Sequence, residues 1–405
     1  MARVLVVDGQ HRSALAVVRS LGRAGHTCIV TAPELPAIAA VSRYCNEAHT
    51  LNFWDSSVAA TQLRGLIDMH GIDIVVPISD EAMICILRDF PEGSIGRAKV
   101  AAPMPAAYDA LSDKSQLLIH AESLGLAIPN SVVVNEPGHA LFQAAEAVGY
   151  PCVIKPHRSV VLIGGRPQRL FVSFAATPAE LGEATANLPP AAFPVLIQER
   201  IIGRGEGVFL LSDGQNIRAS FAHTRLREYP PSGGASTYRE SVEIPPKLLS
   251  LSLHLLHSVG WEGVAMVEFK RSAASGESYL MEVNGRFWGS LQLAVDAGVD
   301  FPRMLIDMLL KRPFMGTPSY RVGVRTRWFW GDFEYLWTRL RRRRQNLHLP
   351  ANEQGRGRWS ILRDVLRIRR HERIEELQIS DPMPFFFELR LRARRLRKKM
   401  SGAKP

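Results

Sequence analysis

The stretch Met281–Gly289 reads MEVNGRFWG. Side chains alternate across a strand, so Glu282, Asn284 and Arg286 are expected on one face. Glu268 lies in the preceding apolar run, and pairing of the two runs as a hairpin would bring two carboxylates, an amide and a guanidinium together. Hard cations such as Mg²⁺ prefer oxygen ligands, usually carboxylates with substrate phosphates. The stretch therefore predicts a site for metal-bound phosphate.

The simpler interpretation is two solvated or cross-strand-paired carboxylates. Both glutamates, however, lie in largely apolar strands, VAMVEF and YLMEV. Burying a charge there is costly unless the charge is paired or binds a metal. The metal site is therefore the favoured interpretation.

Length and composition indicate a globular protein. The 405 residues are 46% hydrophobic and 22% charged, enough for two or three domains. No apolar segment is long enough for a membrane span, and the N-terminus, MARVLVVDG, enters a strand without the features of a signal peptide. The four cysteines have no CxxC spacing and are expected to be reduced core residues. A cytoplasmic location is expected.

The positive charge is concentrated near the C-terminus. Residues 338–405 contain 20 Lys and Arg against 7 Asp and Glu, which is a net charge of +13. Since the whole chain has a net charge of +11, residues 1–337 have a net charge of −2. Basic residues with interleaved aromatics suit anionic membrane surfaces, and basic tails also attract nucleic acid. The cluster Trp328–Trp337 and Phe385–Phe387 favour the membrane over nucleic acid. Docking of these aromatics on the body of the protein is the alternative.

Residues 1–106 alternate strand and helix patterns. The predicted strands are Val4–Asp8, Thr27–Ala32, Asp73–Ile78 and Val100–Ala102, and the predicted helices are Arg12–Arg23, Val58–His70 and Glu81–Arg88. This alternation predicts a Rossmann-like α/β domain with a parallel sheet. GQHRSA follows the first strand, so a dinucleotide site of the GxGxxG type is poorly supported.

Residues 107–312 mix hairpins and helices and predict an α+β unit. A helix is expected over Ser112–Leu124 with Ser112 as N-cap, and a loop over Ser159–Arg169. Residues 313–405 form a third, basic and aromatic segment, which is expected to be largely helical.

Two lysines are candidates for binding an anion. Lys155 closes the buried strand PCVIKP, where it reaches either a ligand or, by snorkelling, solvent. Lys114 begins a helix, where its charge opposes the helix dipole, and an anionic ligand would explain that position.

Two further segments are candidates for ligand contacts. The sequence QERIIGRGEGV, Gln198–Val208, is either a plain strand–turn–strand connection or a hinge beside a flat apolar slot for adenine. In the second case Glu206 would accept hydrogen bonds from the ribose hydroxyls. His223–Ser241 is either a flexible surface loop or a substrate loop. Its candidate substrate residues are Arg225, Arg227, Gly233, Gly234, Ser236 and Thr237.

The order of these motifs resembles that of the ATP-grasp superfamily, in the branch of carboxylate–amine ligases and carbamoyl-phosphate-synthase-like enzymes. The likeness extends over about residues 1–312 and is carried by a βα domain, DK, VIKP, QERIIGRGEGV, VEFK and MEVNGRFWG. It implies a nucleotide held between two α+β lobes. The loop Ser159–Gly165 departs from the pattern, since it is poorer in glycine than the usual phosphate-covering loop.

The resemblance also implies roles for single residues. The matched positions are Lys114 and Lys155 for the ATP phosphates; Gln198, Glu199, Arg200 and Ile201 for adenine; Glu206 for ribose; Glu268, Glu282 and Asn284 for magnesium; and Arg286 for the transferred phosphate. Lys155 and Arg286 are the implied catalytic residues.

These observations lead to the hypothesis of a ligase that uses ATP and Mg²⁺, or Mn²⁺. It would activate a small carboxylate as an acyl phosphate and join it to an amine. A carbamoyl- or carboxyphosphate-forming enzyme using bicarbonate is the alternative enzyme. A protein acting through its basic tail, at the inner face of a membrane or on nucleic acid, is the alternative from another class, and a homodimer is compatible with either.

Overall fold

The computed structural model describes residues 1–53, 56–313, 316–341, 347, 349, 355–367, 369 and 372–400. An α/β part, an α+β part and a helix-rich C-terminal segment follow one another along the chain. The predicted fold class is confirmed.

Parallel strands alternate with helices in the N-terminal part. Its elements are β1 (Arg3–Val7), α1 (Arg12–Arg23), β2 (Thr27–Ala32), β3 (Glu47–Thr50), α2 (Ser56–His70), β4 (Ile74–Pro77), α3 (Asp80–Asp89), β5 (Ser94–Ile95) and β6 (Ala98–Val100). The sheet order is β3-β2-β1-β4-β6-β5, and only β5 runs antiparallel to its neighbour. The central strand β4 leads directly into α3, whose first residue is Asp80.

The region predicted as one helix over Ser112–Leu124 is two helices, α4 (Pro105–Ser112) and α5 (Lys114–Ser123). Asp113 separates them because its backbone is extended, and its carboxylate accepts hydrogen bonds from the N–H groups of Ser115 and Gln116. The N-cap is therefore Asp113 and not Ser112.

A four-stranded sheet forms the smaller lobe. Its elements are β7 (Ser131–Val134), α6 (His139–Val148), β8 (Cys152–Pro156), β11 (Ser173–Ala175), α7 (Pro178–Thr185) and β12 (Val195–Glu199). Between β8 and β11, the predicted loop is instead a hairpin of β9 (Val160–Ile163) and β10 (Arg166–Arg169). Its turn, Gly164–Gly165, has positive φ at both residues, which glycine adopts without strain.

A seven-stranded sheet forms the larger lobe. Its strands are β13 (Gly203–Asp213), β14 (Ile217–Tyr229), β15 (Ala235–Ser241), β16 (Glu262–Ser272), β17 (Ser278–Asn284), β18 (Arg325–Arg327) and β19 (Glu372–Ile374), and its helices are α8 (Pro246–His257), α9 (Leu291–Ala297) and α10 (Phe301–Leu309). The order is β17-β16-β13-β14-β15-β18-β19. The predicted loop His223–Ser241 is therefore mostly strand, and only residues 230–234 turn.

The C-terminal segment packs on the body of the protein. It contributes β18, β19 and the helices α11 (Phe329–Arg341), α12 (Arg358–Leu366) and α13 (Met383–Met400). The limits 1–106, 107–312 and 313–405 remain a division proposed from sequence, and two strands of the large sheet come from beyond residue 312. Residues 342–346 lie outside the described residues, and with them three arginines of the run Arg341–Arg344.

The aromatic residues of this segment divide between core and surface. Trp330 and Tyr335 are buried, whereas Phe333 and Trp337 stay exposed. Within the described part of the chain, no helix has the length and apolar composition needed to cross a bilayer.

Candidate active site

Glu268 and Glu282 face each other across the β16–β17 pair, in direct register. Asn284 lies two residues further on the same face and donates a hydrogen bond to Glu282, 3.0 Å from Nδ2 to Oε1. A bulge in the β16–β17 ladder comes immediately after Glu268, and bulges commonly redirect side chains beside functional sites. The structure thus brings the three predicted metal ligands together.

The two carboxylates have different electrostatic surroundings. Burial raises the pKa of Glu268, although the neighbouring Arg225 opposes that shift. Burial also acts to raise the pKa of Glu282, but the charges of Lys114 and Lys155 and the hydrogen bond from Asn284 outweigh it, so that its pKa falls below the ordinary value. Glu282 is therefore held as a carboxylate.

Both predicted lysines lie beside Glu282. Lys155 is a buried residue of β8, and burial lowers its pKa to about 8 despite the opposing charge of Glu282. Lys114 is the first residue of α5, with Nζ 4.0 Å from Glu282 and 3.0 Å from the hydroxyl of Ser159. The amide of Lys114 donates to the carbonyl of His157, which fixes α5 against the strand that carries Lys155.

Arg286 is held by an acidic residue of the N-terminal domain. Its Nε and Nη2 both bond the carboxylate of Asp80 at 2.8 Å, a bidentate pair across the two domains. Burial acts to lower the pKa of Arg286, but the charge of Asp80 outweighs it and raises the pKa. Arg286 is thus a fixed cation at the side of the glutamates.

The predicted substrate segment is only partly at the site. Arg225 lies in the cleft, where its guanidinium bonds Glu268 and Glu228. Arg227 is buried elsewhere, paired with Asp332 at 2.6 Å, because bulges in β14 between Arg225 and Glu228 interrupt the alternation of side chains. The structure therefore does not bring Arg227 to the cleft, and its substrate role stays a prediction without support from this geometry.

Thr237 is likewise away from the cleft, since it is fully buried and its carbonyl accepts a hydrogen bond from the amide of Trp328. Gly233, Gly234 and Ser236, by contrast, line the cleft as predicted.

The predicted adenine hinge divides in the same way. Glu199, Arg200 and Ile201 line the cleft. Gln198 is fully buried and donates a hydrogen bond to Ser131 at 2.9 Å, so its side chain serves the small sheet. The carboxylate of Glu206 accepts a hydrogen bond from the hydroxyl of Ser278 at 3.1 Å, and Glu206 is not among the residues that line the cleft, so its ribose contact stays a prediction.

The cleft between the two lobes is a cavity of about 680 Å³. Its lining includes the apolar Val153, Ile201 and Met281 and the charged Lys155, Glu268 and Arg286. Such a lining suits a ligand with an apolar part and an anionic part.

Sequence reasoning missed two charged residues: Arg12, which lines this cavity, and Asp80, which holds Arg286. Both residues come shortly after the carboxyl end of a parallel strand, Arg12 after β1 and Asp80 after β4. Ligands of open α/β sheets bind at these strand ends, so this position in the sequence could have identified both residues. Arg12 lines the end of the cavity nearest the N-terminal domain, pairs with Glu375 and stacks over Trp328, 3.9 Å from its ring centroid.

Comparison with known proteins places this geometry in context. A family model described as ATP-grasp in the biosynthetic pathway with Ter operon matches residues 196–330, about a third of the chain. No curated protein matches the chain.

Several solved structures share the fold at low sequence identity. Rhizobium etli pyruvate carboxylase has a TM-score of 0.60 and 16% identity over 80% of this chain and 30% of its own. N5-carboxyaminoimidazole synthetase from Staphylococcus aureus has a TM-score of 0.59 and 13% identity, over 79% of this chain and 80% of its own. A third structure is the biotin carboxylase domain dimer of Hydrogenobacter thermophilus 2-oxoglutarate carboxylase, solved with MgADP, ADP and bicarbonate. It has a TM-score of 0.61 and 14% identity, over 80% of this chain and 73% of its own.

Proposed function

From the ATP-grasp fold of this chain, we propose that it is an ATP- and Mg²⁺-dependent ligase that activates a carboxylate as an acyl phosphate and joins it to an amine. The observation that carries the proposal is the meeting, in one cleft, of an opposed glutamate pair, two buried lysines and a fixed arginine. Phosphoryl transfer needs mainly positioning and charge stabilisation, and this set supplies both.

The cavity accounts for both ends of ATP. The apolar lining residues Val153, Ile201 and Met281 receive adenine, and Lys155 and Lys114 neutralise the phosphates. The β9–β10 hairpin is adjacent, since Ser159 accepts from Lys114.

The donor set fits Mg²⁺, or Mn²⁺. Glu268 and Glu282 are opposed, half-buried carboxylates, and Asn284 adds an amide oxygen. These residues would hold the ion, which supplies charge neutralisation at the phosphates when bound. Arg225 now balances Glu268, and cation binding would require it to share that carboxylate.

The proposed reaction has two steps. An oxygen of the substrate carboxylate bonds to the γ-phosphorus of ATP as the bond to the bridging oxygen of ADP breaks, which gives an acyl phosphate. Arg286, fixed by Asp80, stabilises the charge on the transferred group. The amine then attacks the acyl carbon, phosphate leaves, and the amine loses a proton to give an amide.

The part of the cavity lined by Arg12, Trp288 and Ser290 is the proposed place for the carboxylate and amine substrates. Guanidinium groups bind carboxylates in a bidentate manner, so Arg12 suits an acidic substrate.

The test captures the acyl phosphate with hydroxylamine. Purified protein, ATP, Mg²⁺ and a panel of small carboxylates should give ADP and a hydroxamate of one carboxylate class. Lys155→Ala and Glu282→Ala should abolish both products, and unchanged ADP release in these variants would refute the site assignment.

Bicarbonate as the carboxylate is the second candidate, and a solved structure with the same fold was crystallised with bicarbonate and MgADP. Bicarbonate-dependent ADP release with no hydroxamate from any organic carboxylate would favour it. Product mass then distinguishes a carbamate from an amide.

Peripheral membrane contact by the C-terminal segment is a separate proposal from the sequence, as is a homodimer. Exposed Phe333, Trp337, Trp359 and Phe386 beside arginines support the membrane contact. Salt-sensitive binding of the full chain to anionic vesicles, lost in Trp337→Ala/Trp359→Ala, is the expected result. Equal binding by that variant would refute the contact.

A further inference from the structure

Two histidines and a glutamate meet at the edge of the N-terminal sheet. Glu47 and His49 are alternate residues of the edge strand β3, so their side chains share a face. His70 is the last residue of α2, and the chain reaches it just before β4 begins. None of the three residues is among those that line the cleft.

Their distances match those between ligands of one metal ion. His49 Nε2 lies 3.1 Å from Glu47 Oε1, and His70 Nδ1 lies 3.6 Å from Glu47 Oε2. One ligand atom from each residue falls within 4.8 Å of the others. Zinc bonds of about 2.0–2.2 Å put tetrahedral ligand atoms about 3.4 Å apart.

Ordinary hydrogen bonding does not account for the histidines. The His70 side chain is only 9% exposed, and its Nε2 is a buried atom without a hydrogen-bond partner in the part of the chain that the structure describes. Over the same residues, His49 Nε2 also makes no well-aligned hydrogen bond, although Glu47 is close.

We propose that Glu47, His49 and His70 bind a divalent transition-metal ion, with Zn²⁺ as the best match. Two imidazoles and one carboxylate suit zinc and its neighbours, whereas Mg²⁺ prefers oxygen ligands alone. The ion joins β3 to the end of α2, and none of its ligands lines the cleft, which gives it a stabilising role separate from nucleotide chemistry.

The test is Zn²⁺ titration of chelator-treated full-length protein by calorimetry, with Co²⁺ as a spectroscopic probe and thermal unfolding as a second readout. The wild type should bind one equivalent, give a Co²⁺ absorption band in the visible range, and unfold at a higher temperature with Zn²⁺. His49→Ala and His70→Ala should each weaken binding at least about tenfold.

The control variant is His254→Ala/His257→Ala, which removes an exposed histidine pair one turn apart on α8. It should bind Zn²⁺ as the wild type does, and loss of binding there alone would overturn the proposal. If His70→Ala fails to fold, Glu47→Gln replaces it in the test, because the Glu47 side chain is half-exposed and its substitution preserves the fold. Unchanged Zn²⁺ affinity in Glu47→Gln would also overturn the proposal. ADP release with Mg²⁺ is measured separately, so failure of the ligase proposal leaves this result intact.

Discussion

At the scale of single residues, the cleft is organised by charge balance around Glu268. Arg225 bonds Glu268 and Glu228 together, and it can lie there because Gly205 has no side chain: a Cβ on Gly205 would come within 2.7 Å of Arg225. Lys114 and Lys155 balance Glu282. Each buried charge thus has an opposite charge beside it, which makes the group tolerable before any ligand binds.

Glu268→Gln should lower Mg²⁺-dependent ADP release about a hundredfold or more, because it removes a metal ligand and the main partner of Arg225. Steady-state ADP release over a Mg²⁺ series measures the effect. Glu277→Gln, at an exposed residue in the turn of the same hairpin, is the control and should match the wild type. An equal loss in both variants would contradict the assignment.

Lys155 should make nucleotide binding depend on pH. Its pKa is about 8 in the free protein, and an anionic phosphate binds the protonated form and raises that pKa. Affinity for a non-hydrolysable ATP analogue should therefore fall as pH rises above about 8, by at most about tenfold per pH unit. Lys155→Arg stays charged over this range, so a wild-type pH profile in that variant would exclude Lys155 as the cause.

At the scale of elements, the β9–β10 hairpin is tied to the N-terminal domain. Arg169 bonds Glu81 through two nitrogens, at 2.8 and 2.6 Å, and also lies 3.8 Å from Asp80. Asp80 in turn holds Arg286, so the hairpin and the phosphate side of the cleft share one acidic helix start. This connection holds the hairpin beside the part of the cleft where Arg286 lies.

Arg169→Ala should weaken ATP binding with little change in maximal rate, because a partly exposed ion pair contributes at most about 1 kcal/mol, or about fivefold in affinity. Faster proteolysis at the turn Gly164–Gly165 should accompany it. Arg166→Ala removes an exposed arginine from the same hairpin and should change neither property. Similar KM values for ATP in the two variants would show that the contact does not hold the hairpin.

At the scale of the whole molecule, one hydrophobic core crosses the domain boundary. Core residues of β1 and α1 pack in the same cluster as Phe209 of β13 and Trp288 beyond β17. The C-terminal segment closes this unit, since Arg19 of α1 is fully buried and bonds Asp381 at 2.8 Å. The basic tail is thus attached through acidic residues that sequence reasoning did not single out.

Asp381→Ala should destabilise the protein by about 3–5 kcal/mol, because it leaves the Arg19 guanidinium buried without its charged partner. Urea unfolding at equilibrium, followed by tryptophan fluorescence, measures the change. Gln378→Ala removes an exposed contact to Arg23 from the same segment and should cost less than about 1 kcal/mol. Equal stabilities of the two variants would contradict this role for the Arg19 pair.

The parallel α/β domain and the hairpin that opposes Glu268 to Glu282 follow from local patterns, because apolar periodicity and strand alternation are properties of short segments. Tertiary packing brings Lys114 beside Glu282 and selects the arginine of the cleft, since bulges in β14 turn Arg227 toward Asp332 and leave Arg225 at Glu268. Likewise, the pair of Arg286 with Asp80 joins residues 206 positions apart. Such pairs depend on how sheets and helices pack, and the energy of burying a charge selects the partner only after packing has brought it near.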